Sequence, residues 1–279
     1  MLVNPLVNPL VHNCEFAHMH GHCLTEVWYI CSMWCLTITY GFCFGVELTM
    51  NNIIVTYLFD QFGVSLPIAG LLGSLFGLMN LFARSIGGMG SDIAGKYYGM
   101  RGRLWALWLL QTTEGAFCIF MGLAKGSLGG TIAVMILFSL LVQSSEGATY
   151  GVVPFVSKRA LGIVSGFVGA GGNAGSVATQ YLFFRGREWE TYTGLVYMGI
   201  MVMAMTLFVV PIYFPMWGGM FLGPKEGVEE EDYYLAEFND EEKAEGLSRA
   251  AELFAYEAKY SQRGIKSPNY LVRPPTTDI

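Results

Sequence analysis

Apolar runs of about twenty residues recur along this chain, and each is long enough to cross a bilayer as a helix. The first covers residues 27–46 and continues to about 57, ending at an aromatic Tyr57 and Phe59 before the turn Asp60-Gln-Phe-Gly63. A second begins at Pro67, where the missing N–H of a first helical turn costs nothing. Further runs cover 104–124, 131–150, 160–184 and 192–214. The pattern predicts an all-α membrane protein with six transmembrane helices between residues 26 and 220. The leader, 1–25, and the tail, 221–279, lie outside it. The tail predicts a loose acidic run, Glu229-Glu-Glu-Asp232, and an amphipathic helix over 240–260 through Leu247, Ala250, Phe254 and Ala258. Residues 268–279 read as disordered.

Polar positions inside the apolar runs are not scattered. In the second helix Gly70, Gly73, Gly77, Asn80, Arg84, Gly87 and Ser91 recur at three and four, so one face is small or polar and carries one arginine. A guanidinium in hydrocarbon costs about 2.5 kcal/mol or more. It therefore points to a polar cavity, or to snorkelling at the interface. In the fifth run Gly166, Gly169, Asn173, Ser176 and Gln180 share a side without bulk. Such a side meets either another helix or a small polar solute. The fourth carries Ser139, Gln143, Glu146 and Tyr150; the first carries Tyr40, Glu47 and Asn51; the third carries Glu114. The sixth has no polar stripe and reads as a support.

Composition agrees with a membrane protein: 53% of the 279 residues are hydrophobic and 14% charged, with a mean hydropathy of +0.44. The net charge of −6 belongs to the tail, because residues 1–222 hold nine acids and nine bases. No basic patch for nucleic acid exists. The six cysteines have neither zinc-ribbon nor disulfide-framework spacing. The leader crowds His12, Cys14, His18, His20, His22 and Cys23, either a metal-binding tract or an unstructured segment. Elsewhere there is no metal constellation, catalytic nucleophile or phosphate loop, so neither an enzyme nor a cofactor is expected. Lys96, Arg101, Arg103, Lys158 and Arg159 fall on one side of the predicted topology, which makes that side and both termini cytoplasmic.

The wording of the polar stretches adds a resemblance. Gly169-Ala-Gly-Gly-Asn-Ala-Gly175 resembles the signature of the nitrate/nitrite porter family within the major facilitator superfamily. Gly151-Val-Val-Pro-Phe-Val-Ser157, the block 42–52, Phe76-Gly-Leu-Met-Asn-Leu-Phe-Ala-Arg84 and the block 100–108 resemble the high-affinity members of plants and algae. The resemblance covers about residues 27–220 and only the second half of that family's twelve-span fold. It implies a C-terminal six-helix bundle, forming one half of a major facilitator transporter, in the plasma membrane.

The same resemblance implies proton-coupled transport of nitrate, and of nitrite in some members. The chemistry of a planar monoanion asks for a fixed cation, neutral donors and an aromatic wall, without strong acids in contact. The family's second-half substrate arginine matches Arg84 and its signature asparagine Asn173, with Gly169, Gly171 and Gly172 around it; Asn80 supplies a further amide and Tyr40 a ring and hydroxyl. Glu146, Glu47 and Glu114 are the candidate proton carriers, Glu146 foremost; pairing with Arg84 is the structural alternative for it. Gly88, Asp92, Lys96, Arg101 and Arg103 resemble the superfamily's gating loop, expected over 88–103. Six spans lack the opposing wall. The expected partners are the lipid bilayer and a missing N-terminal half or an accessory membrane subunit. The alternative is a non-transporting half that associates with a full-length relative.

Overall fold

The computed structural model describes residues 9–186 and 189–263, with side chains from residue 28 onward except at 260. The leader's residues 1–8, the histidine and cysteine side chains of its metal reading, and the tail beyond 263 lie outside the described residues.

Helix α1, Pro9–Phe62, stops where Gly63 turns the chain at positive φ. Helix α2, Leu66–Leu78, carries Pro67 in its first turn. Met79, itself helical, divides it from α3, Asn80–Leu123. Helices α4, Leu128–Tyr150, α5, Leu161–Phe183, and α6, Thr191–Met205, follow. Among the described residues, five stretches are long and apolar enough to cross a membrane: Trp28–Phe62, Leu66–Leu123, Leu128–Phe155, Leu161–Phe183 and Thr191–Val209. The chain is an integral membrane protein.

The second of these stretches, 58 residues, corrects the expected loop. Residues 88–103 are helical except at Gly99, which adopts φ 68° and ψ −155°. The chain reverses there, because Arg103 Nη1 reaches Asp92 Oδ1 at 2.6 Å and Ser91 Oγ at 3.4 Å. Twelve residues of straight helix would hold Ser91 and Arg103 about 18 Å apart. Charged residues here extend the two limbs instead of forming a loop, since i±4 backbone bonds continue up to the glycine.

The last apolar run ends sooner than the expected 214. Helix α6 tightens to a 3₁₀ turn over Thr206–Val209. Pro211 follows, lacking an N–H and disfavouring helix at the residue before it. A two-stranded hairpin, β1 Tyr213–Phe214 with β2 Gly218–Gly219, leads into the tail.

Among the described residues the tail holds three short helices, α7 Glu230–Leu235, α8 Asp240–Ala244 and α9 Arg249–Ser261. Gly246, at φ 77°, breaks the single helix expected over 240–260. The buried face of α9 is Ala251, Ala255 and Ala258, while Leu247 and Ala250 are exposed. The acidic run is not loose. Glu230 is fully buried, accepting from Trp217 Nε1 at 2.8 Å and from Arg263 Nε and Nη2 at 2.8 and 2.7 Å.

The spans pack through two apolar clusters. One joins Leu36, Tyr40, Leu104, Val152 and Val164 to the tail's Tyr234 and Ala255. The other joins Val46, Met50, Phe76, Phe138 and Met198.

Candidate functional site

The polar stripes of α1, α3 and α4 converge on Arg84. Helices α3 and α4 approach closely because Gly147 stands where a side chain would strike the Arg84 carbonyl, and Gly87 where one would strike Ser144. That contact sets Glu146 beside the arginine. Arg84 Nη2 donates to Glu47 Oε2 at 2.9 Å and lies 2.5 Å from Glu146 Oε2. The second contact is an ion pair by proximity, because no hydrogen bond reaches either oxygen of Glu146 among the described residues. Asn80 Nδ2 donates to the other oxygen of Glu47 at 3.0 Å. Both carboxyls are buried, whereas the Arg84 side chain is 35% exposed. Its Nε–H is buried and has no hydrogen-bond partner among the described residues.

An aromatic wall runs from this cluster to α5. The guanidinium carbon of Arg84 lies 5.3 Å from the Phe44 ring centre. Phe44 stacks on Tyr40, which meets Tyr150 edge-on. Gly172 presses on Phe44 and Tyr40, and Gly169 stands near the Tyr150 hydroxyl. Phe44 was not singled out from the sequence, although its place four residues after Tyr40 puts both rings on one helical face.

The glycine helix has two sides. Gly171 and Gly175 pack on α1: a side chain at 171 would meet Thr37, and one at 175 the Gly41 carbonyl. Gly166 has open space around it. Asn173 is exposed, and its amide donates to Gly169 O of its own helix at 3.2 Å. No hydrogen bond joins Asn173 to Arg84 or Asn80 among the described residues. The expected site residues thus divide. Arg84, Asn80, Glu47 and Glu146 form one cluster; Tyr40, Gly169 and Gly172 border its aromatic wall; Asn173 lies beyond them.

Glu114 sits apart from the arginine. It is fully buried, and its Oε2 accepts from Ser145 Oγ at 2.7 Å. Cys43 lies 2.7 Å from the same hydroxyl. The five residues read as a gating loop also divide. Asp92 pairs with Arg103 at 2.6 Å, and Arg101 donates to the carbonyls of Gly219 and Leu222. Gly88 faces Gly147, and Lys96 lies on the limb before Gly99.

Long apolar helices closing on the charged cluster of Arg84, Glu47 and Glu146 define a polytopic helical membrane protein with a polar interior face. The chain is 54% identical over 243 residues to "Nitrate transporter 2.2" of Chlamydomonas reinhardtii, an alignment covering 85% of this chain and 47% of that one. It is 46% identical over 259 residues to "High-affinity nitrate transporter 2.3" of Oryza sativa subsp. japonica, covering 93% and 49%. It is 34% identical over 145 residues to "Nitrate/nitrite transporter NrtP" of Picosynechococcus, covering 51% and 26%. No protein-family model matches the chain, and no solved structure matches it. The chain belongs to the family of high-affinity nitrate transporters of the nitrate/nitrite porter type. It spans about half the length of the first two relatives. These relatives are named as transporters, not as enzymes.

Proposed function

We propose that this chain forms one wall of a proton-coupled nitrate transporter, with Arg84 as the cation that receives the anion. The observation that carries the reading is the state of that guanidinium. One nitrogen is shared by two carboxyls while its buried Nε–H has no partner among the described residues. A planar oxyanion fits the remaining donors of a planar fork. Nitrite, a smaller planar oxyanion, fits the same donors as a second solute.

The two carboxyls explain coupling by charge. Arg84 with Glu47 and Glu146 both ionised carries one net negative charge, which repels an incoming anion. A proton taken up at Glu146 or Glu47 removes that repulsion and loosens a carboxyl's hold on the guanidinium, so anion and proton favour each other's binding. Strong acids beside the cation, at odds with a simple anion pocket, have a purpose in a symporter. Phe44 and Tyr40 supply the wall, and Asn80 and Asn173 neutral amides.

In this reading the reversal at Gly99 divides the longest apolar stretch into two spans. The count becomes six, forming the C-terminal half of a major facilitator fold. Both termini face the cytoplasm of the plasma membrane, and a second helical bundle closes the opposite side of the cavity. The test is nitrate uptake in cells without their own, by this chain alone and by this chain joined to the first half of the algal relative. Uptake by the joined protein only supports the reading. Absence of uptake by a joined protein that reaches the surface overturns it.

A further inference from the structure

We propose that the end of α9 is a latch: Gln262, anchored through Arg263 on Glu230, ties the Gly99 reversal to the tail that seals the 151–160 turn, and that end of the bundle opens only when Gln262 releases. The inference concerns the fold and stands whether or not the chain moves nitrate.

Arg103 is the centre of the arrangement. It is almost fully buried, although the chain turns and charged residues surround it. Its Nε donates to Gln262 Oε1 at 2.7 Å, and its Nη1 donates to Asp92 at 2.6 Å and to Gly151 O at 3.3 Å. Its guanidinium also lies over the Phe155 ring, 5.1 Å from the centre. One side chain therefore holds the first limb of α3, the turn after α4, and the tail. The tail adds a backbone bond, Met100 N donating to Gln262 O at 3.0 Å. A side chain at Gly99 would collide with that same Gln262 carbonyl, so the glycine serves the docking as well as the turn.

The latch has its own anchor. Arg263 forms a two-pronged pair with the buried Glu230, which also accepts from Trp217. The next tail helix residues seal the second turn: Tyr233 and Tyr234 hydroxyls donate to the carbonyls of Val156 and Phe155 at 2.9 and 2.8 Å. Lys158 lies over the Phe254 ring, and Arg159 pairs with Glu242 at 2.7 Å. Two turns that must separate for the helix ends to spread are thus clamped by one soluble segment. Its end, Gln262, bonds to the Gly99 reversal through both side chain and backbone.

The test is hydrogen–deuterium exchange of the full chain in detergent. Gln262→Ala removes the acceptor for Arg103 and leaves the backbone bond. Exchange over 99–104 and over 151–157 is expected to quicken together by about tenfold, as for loss of a charge-assisted hydrogen bond. The 124–130 turn at the opposite end should not change. Gln262→Glu keeps an acceptor for Arg103 and should leave both turns as in the parent, which separates latch release from tail misfolding. Quickening confined to 99–104, or no difference between the Ala and Glu variants, would overturn the proposal.

Discussion

Replacing Gly45 by alanine tests whether the glycines of α1 and α5 form a packing seam. An ideal Cβ at Gly45 would stand 2.6 Å from both the Gly175 carbonyl carbon and the Ser176 nitrogen. Ordinary contact begins at 3.4 Å, so the two backbones would have to part by about 0.8 Å. Both opposing atoms are main chain, and no rotamer change relieves them. Overpacking of this kind costs about 1–3 kcal/mol, and alanine's better helix propensity returns at most about 1 kcal/mol. The net expectation is destabilisation of at most about 3 kcal/mol, and the clash alone, about 1–3 kcal/mol, sets this variant apart from an alanine that gains propensity without meeting anything. Gly166→Ala, which meets nothing within 4 Å, should instead be neutral or stabilising. Unfolding in mixed micelles by increasing dodecyl sulfate reads both. Equal stability of the two variants would refute the seam.

Three further outcomes follow from the same geometry. In the joined transporter, Glu146→Gln should flatten the pH dependence of uptake while uptake continues, measured as initial rate across acidic to neutral pH. Ser145→Ala removes the hydroxyl that donates to buried Glu114 and should destabilise the chain by about 1–3 kcal/mol, read in the same micelle titration. Tail docking should keep its ion-pair contributions between about pH 5 and 10 and weaken, without being lost, as pH falls below about 4, read by exchange over Arg249–Ser261 corrected for its intrinsic rate. Lys259 holds the Glu229 carboxyl low, and the Asn239 N–H and then Arg159 hold Glu242 low. Such acids contribute stability above the ordinary carboxylate pKa of about 4.3 and lose it as pH falls through their folded values. Lys259, raised by Glu229, contributes below about pH 10.4 and loses that contribution as pH rises through its folded value. Burial pushes Glu237 up, so it opposes the other carboxyls.

The apolar runs and their polar stripes were legible in the sequence because both are local. A stripe at three and four fixes a face, and the face of Asn80, Arg84 and Gly87 does meet α1 and α4. What the stripe could not show is its occupant. The sequence leaves Glu146 open between proton carrier and partner of Arg84, and it lies beside the guanidinium; Glu47, 37 positions before Arg84, reaches it only through tertiary packing. The glycine run was ambiguous for a similar reason. Glycine suits close helix contact and an open polar face equally, and α5 uses one side for each. Residues 88–103, with Lys96, Arg101 and Arg103, resemble a gating loop, whereas helix runs on both sides of the break at Gly99, a single residue. Glu230 looked solvated in its acidic run, since its partners Trp217 and Arg263 lie 13 and 33 positions away.

The most direct measurement is nitrate uptake against concentration for the joined transporter and its Arg84→Ala, Arg84→Lys and Asn173→Ala variants at matched surface levels. With Arg84 as the anion's cation, Arg84→Ala should lose at least about 10- to 100-fold in uptake efficiency, the equivalent of one charge-assisted hydrogen bond. Arg84→Lys should keep the charge but raise the half-saturation concentration, because it lacks the planar fork. Asn173→Ala, which removes a neutral amide, should lose less than either. Parental uptake by Arg84→Ala would contradict the account at its centre.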